Sequence, residues 1–175
     1  MAVAFAFPIA GLLGRGLGGP VDAVGAALIG GAVTGAALGA AEWYAGRGAF
    51  GNAAAWIAVS GAAYGVGLLI GAALVGYGTD LGELAAMGAV SGAVLGAAQG
   101  ACLAVQGRTR LAAGWAAAMP ILMALGWSAT TISGIDVERQ YTVFGAAGAV
   151  VFMLLSGLVL ARLAPTPAAP AVSGP

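Results

Sequence analysis

The stretch Gly88–Gly100 reads GAVSGAVLGAAQG, with glycines at positions 88, 92, 96 and 100. Its serine could belong to a nucleophile, and its glycines could belong to a phosphate cradle or to a face where two helices touch. Composition decides among these. Of 175 residues, 61% are hydrophobic and only 7% are charged, and the mean hydropathy is +1.01. An average soluble domain carries about 25% charged residues. A chain this poor in charge cannot cover a soluble surface, so it is expected to live in lipid. Lipid offers no water to free backbone groups, so the stretch must be helical. Residues four apart then share one face. Gly88, Gly92, Gly96 and Gly100 form a small-xxx-small groove into which a partner helix fits. Gly31, Gly35 and Gly39 form a second such groove.

Outward from these grooves, the chain divides into six apolar segments: Ala2–Gly18, Val21–Ala45, Ala53–Gly76, Leu81–Gln106, Leu111–Ile132 and Tyr141–Leu163. A spanning helix needs about 20 residues. The first segment sits at the short limit and carries Pro8 and Arg15, while Pro120 is expected to kink the fifth. The expected fold class is an all-α integral membrane bundle of about six transmembrane helices in one domain, residues 1–163. The Pro/Ala-rich residues 164–175 are expected to form a disordered tail. The N-terminus lacks a basic region and is taken as a mature helix, not a cleaved signal. The breaks alternate in charge. Arg47, Arg108, Arg110 and Arg162 fall on one side, and Asp80, Glu83, Asp136 and Glu138 on the other together with Arg15 and Arg139. Arginine excess marks the cytoplasmic side. The expectation is a multi-pass protein of the bacterial cytoplasmic (inner) membrane with both termini cytoplasmic. Trp43, Tyr44, Trp56 and Trp115 would then sit at the inner interface, Tyr77 and Tyr141 at the outer.

The second groove is related to the first. GAVTGAALGAAEWYA (Gly31–Ala45) aligns with GAVSGAVLGAAQGAC (Gly88–Cys102) at an offset of 57, matching at nine of fifteen positions. Trp56 and Trp115 are 59 apart, and Asp22, Asp80 and Asp136 recur at 58 and 56. The chain therefore reads as three tandem helical hairpins, about 1–46, 47–106 and 107–163. Such repeats keep one membrane orientation and are parallel repeats. Closure would give pseudo-threefold symmetry.

Missing residues exclude much chemistry. There is no His and no Lys. GAVSGAVLG resembles the nucleophile region of rhomboid-type intramembrane proteases, whose motif is GxSG. Ala89 replaces its first glycine, and no His exists to activate Ser91. Ser91 is expected to pack, as Thr34 does in the first copy. A P-loop needs a lysine. His-ligated zinc or haem and Lys-bound cofactors are excluded, so no metal, no cofactor and no catalytic residue is expected. Cofactor-binding residues stay unassigned. Cys102 is the sole cysteine and is expected to be a small buried hydrophobe. Zero net charge leaves no footprint for nucleic acid.

Few polar residues remain as candidates. Glu42 and Gln99 share one repeat position, with Ser156 in the third copy. An ionisable group in an apolar segment is a functional candidate by default. Beside Trp43, Tyr44 and Arg47, Glu42 is expected to be solvated or arginine-paired at the inner interface. Asp22, Asp80 and Asp136 are expected to be helix caps; a ring of acids selecting cations is the alternative.

Gly/Ala-rich hairpins with Trp at a helix start resemble small polytopic bacterial membrane proteins of unassigned function. That resemblance rests on glycine spacing and implies no activity. The expected function is a non-catalytic accessory subunit, packing by its glycine faces in a larger membrane complex. Its partners would be membrane lipid and other membrane-protein subunits, or copies of itself. The alternative is a small-solute transport component, a channel or a substrate-binding subunit. Six helices with both termini inside are similar in size and topology to the substrate-capturing subunits of energy-coupling-factor transporters, which do not show a triple repeat.

Overall fold

A computed structural model describes residues 6–46 and 49–163. Arg47, the first residues of segment one and the Pro/Ala-rich tail lie outside the described residues. Six helices and no strand occur among those described: α1 (Ala6–Gly18), α2 (Val24–Gly46), α3 (Ala53–Leu74), α4 (Leu81–Ala104), α5 (Thr109–Ile132) and α6 (Ala146–Leu163). Five of them, α2 to α6, are long and apolar enough to cross a membrane. The described part of α1 has 13 residues, or about 20 Å at 1.5 Å per residue.

Sequence chemistry sets the helix ends. Asn52 caps α3, its Oδ1 accepting from the Ala55 N–H at 3.0 Å. Asp80 caps α4, and its own N–H donates to Glu83 Oε2 at 2.9 Å, the returning half of a capping box. Inside α5, Pro120 does not interrupt the helix. Its Cα faces Gly92, where a Cβ would come within 2.8 Å.

Each helix packs on its neighbours in sequence, and α1 also meets α6, so the order α1 to α6 closes into an antiparallel ring. The most extensive interfaces are α4–α5 and α2–α3. Both cross the boundaries that the sequence suggests between hairpins, at 46/47 and 106/107. Glycine makes these contacts close. A Cβ on Gly31 would lie 2.9 Å from Gly65 Cα, one on Gly35 2.5 Å from Ser60 O, and one on Gly39 2.6 Å from Ser60 Cβ. On α4, Cβ atoms at Gly88, Gly92, Gly96 and Gly100 would lie 2.8, 2.5, 2.6 and 3.0 Å from atoms of α5. The backbones have approached until no side chain fits. Both glycine faces are thus filled by this chain's own helices.

Aromatic side chains fill the ring. Phe7, Phe50, Trp56, Tyr64, Trp115, Trp127, Phe144 and Phe152 are buried, while Leu12, Ile29, Ile70, Ile121, Leu125, Leu154 and Leu158 point outward. The sequence places Trp56 and Trp115 at the lipid interface; their exposures of 0% and 1% put them inside instead. Cys102 is half-buried, not fully buried.

A second correction concerns the last connection. The sixth segment is expected to be helical from Tyr141, but α6 begins at Ala146. Residues 133–145 are irregular, and Thr142, Val143 and Phe144 are buried. Their polar groups find partners within the ring. The Val21 N–H donates to Gln140 O at 2.9 Å, and Tyr64 Oη donates to Thr142 O at 2.8 Å. Thr34 and Thr142 hydroxyls are 2.6 Å apart, and the Gly145 N–H donates to Thr130 Oγ1 at 3.1 Å. Irregular backbone at membrane depth survives only where protein supplies such partners. Gln140, with φ +49°, turns the chain inward at this point.

Candidate functional site

α2, α3, α4 and α5 each bring one or more polar groups to a single cluster inside the ring. Trp56 Nε1 donates to Glu42 Oε2 at 3.2 Å, and Gln99 Nε2 donates to the same oxygen at 2.9 Å. Gln99 Nε2 also donates to Ser60 Oγ at 2.8 Å, and Gln99 Oε1 accepts from Trp115 Nε1 at 2.7 Å. Gln99, Ser60, Trp56 and Trp115 are buried, and Glu42 is half-buried. Buried polar groups this well paired are held rigidly. The cluster joins Glu42 to Gln99, the two residues that share a repeat position. Each accepts from the tryptophan of the helix that follows it. Glu42 is thus tied to side chains of the ring, and Arg47, its expected partner, lies outside the described residues. Its carboxylate is fixed by side chains of the ring, and the one ion pair among the described residues is Arg139 with Asp136, 2.9 Å apart and exposed.

Both hydrogen bonds to Glu42 fall on Oε2. Oε1 accepts nothing from the described residues. Glu42 lines a cavity of about 240 Å³ with Phe7, Phe50, Trp115, Phe152, Met153 and Ser156. Phe50 descends into the ring from the α2–α3 turn and stacks on Trp56, with centroids 4.3 Å apart. Trp43 Nε1 donates to Gly51 O at 2.7 Å, and the Arg108 guanidinium donates to Ala49 O, which together hold that turn.

A second cavity, also about 240 Å³, lies toward the Asp136 end of the ring, lined by Phe7, Gly11, Trp127, Thr130, Tyr141 and Phe144 among others. Phe7 belongs to both cavities. It stacks on Phe144 at 5.1 Å and tilts against Phe152 at 5.0 Å, so these three rings partition the interior. Trp127 Nε1 is buried at this second cavity without an acceptor, and the Arg15 guanidinium sits 5.0 Å over the Tyr141 ring.

The remaining candidates are dispersed. Asp80 caps α4, Asp136 pairs with Arg139, and Asp22 is exposed beside the start of α2. Each acid has its own local setting. Ser91 is buried against Gly67 of α3, and its hydroxyl donates to Gly88 O of its own helix at 3.1 Å. No group of three His, Cys, Asp or Glu able to hold a metal occurs among the described residues. Ser60, Phe50 and Phe152 are site residues that the sequence does not single out. Ser60 alone leaves a signal, since it lies four residues after Trp56 and therefore on the same helix face. No family model, no curated protein and no solved structure matches the chain.

Proposed function

We propose that the chain is a multi-pass protein of the bacterial cytoplasmic membrane that binds a small solute inside its helical ring, as a component of solute transport and not as an enzyme. The observation that carries this is the Glu42 carboxylate. One oxygen is held by Trp56 and Gln99, and the residue lines an aromatic cavity. Holding an ionisable group in an apolar bundle is costly, and such groups mark solute and ion pathways. Phe7 lines both cavities, so one aromatic layer separates two spaces of equal volume inside the ring. In this proposal both termini and the Arg108 turn are cytoplasmic, in line with the arginine bias. Three tandem hairpins remain the proposed origin of the ring. The matched pairs Trp56–Glu42 and Trp115–Gln99 support that origin.

The test is uptake into proteoliposomes of radiolabelled small amines, acids and sugars, with Glu42→Gln as the control. At least one solute class is expected to enter faster than into protein-free vesicles and to lose that advantage in Glu42→Gln. Flux equal to empty vesicles for every class would overturn the proposal.

One observation favours a second role as an accessory subunit. The glycine faces are occupied, but α6 is the least buried of the five long helices, and its Leu154 and Leu158 are exposed. Docking through α6 predicts co-purifying subunits or self-association in mild detergent. A monodisperse monomer without partners would contradict it.

A further inference from the structure

We propose that the Glu42 cavity takes an organic cation: a protonated amine carried on a small apolar body. This rests on the solute-binding proposal above and names its substrate class.

The cavity wall sets the charge. Among its described lining residues, Glu42 is the sole ionisable group. A carboxylate in an apolar wall gains most from a positive partner, because the attraction is little screened there. The rest of the wall sets the shape of that partner. Phe7, Phe50, Trp115 and Phe152 offer aromatic rings, whose faces attract ammonium groups. Ser156 Oγ donates to Met153 O at 3.3 Å, which leaves its lone pairs free to accept from an ammonium N–H. A bare divalent metal ion would need six or more oxygen ligands. Among the described lining residues, Glu42 and Ser156 alone have side-chain oxygens, too few for such an ion. A carboxylate or phosphate ligand would meet a like charge with no cationic side chain in the described wall. The same objection applies to an aminolipid headgroup, where a phosphate adjoins the ammonium, so the free amine is the source. The volume of about 240 Å³ suits a single ring with a short arm.

Three ligands that share a phenyl ring and differ in the end group test this by calorimetric titration of the full chain in detergent. They are phenethylamine, 2-phenylethanol and 3-phenylpropanoate. Phenethylamine, protonated at neutral pH, is expected to bind about thirtyfold or more tightly than the alcohol, the lower end of what a buried charge partner is worth. Phenylpropanoate is expected to bind weakest. In Glu42→Gln the amide still accepts from Trp56 and Gln99, and the amine should bind no more tightly than the alcohol. If Glu42→Gln does not fold, the series on the unaltered chain decides. Alcohol or phenylpropanoate binding as tightly as the amine would overturn the cation class while leaving solute binding intact. Failure of all three to bind would overturn both.

Discussion

Gln99 is the residue on which the interior turns. Its amide donates to Glu42 and Ser60 and accepts from Trp115, so one side chain ties its own helix to three others. Removing one partner strands a buried group, which costs more than the bond itself contributed. Trp115→Phe keeps most of the ring's apolar bulk but leaves Gln99 Oε1 without a donor. It should lower stability by about 1–3 kcal/mol, read as an earlier thermal unfolding in detergent. An unchanged transition would mean that the cluster contributes nothing. The offset of 57 made Glu42 and Gln99 legible as equivalents, but not as neighbours. Offset gives a position along a helix, not the direction a side chain takes around it. In helices apolar on all sides, hydrophobic periodicity does not tell inside from outside. Trp56 and Trp115 were misplaced at the lipid interface for the same reason.

At the scale of elements, glycine spacing was the strongest legible signal. The faces of α2 and α4 do meet other helices, and those helices belong to this chain. Gly92→Ala tests the closest approach on α4. Its Cβ would sit 2.5 Å from Met119 O, a backbone atom that cannot rotate away. The substitution should destabilise by about 1–3 kcal/mol, the usual cost of overpacking. Ser91→Ala, one residue earlier, removes only a bond within its own helix and should cost about 0.6 kcal/mol or less. Equal effects of the two in a detergent melt would contradict the packing described here. The start of α6 was not legible. Tyr141–Gly145 is apolar and could continue a helix, but its groups bond instead to Thr34, Tyr64 and Thr130, residues distant in sequence. Thr142→Val removes the hydroxyl that meets Thr34. It should weaken the segment locally by about 1 kcal/mol, seen as faster hydrogen exchange at the Val21 and Gly145 amides. Unaltered exchange would show that the segment is held by other means.

For the molecule as a whole, composition made a helical membrane protein legible, and five helices of the right length and polarity agree with it. Ring closure was only a possibility in the sequence, because it depends on α1 reaching α6 and on large aromatics filling the space enclosed. Neither has a local signature. In the interior that results, the buried amide and hydroxyl groups are hydrogen-bonded and Glu42 is the acid that lines a cavity, and every functional statement above depends on that placement. Carbodiimide labelling read by peptide mass spectrometry tests it most directly. A lipophilic carbodiimide applied to the protein in membranes should modify Glu42. A water-soluble carbodiimide with an amine acceptor should modify the exposed Asp22, Asp80 and Asp136 readily, and Glu42 far more slowly and less still when phenethylamine fills its cavity. Glu42 reacting with the water-soluble reagent as readily as Asp80 would place it at the surface and contradict the account, as would its failure to react with either reagent.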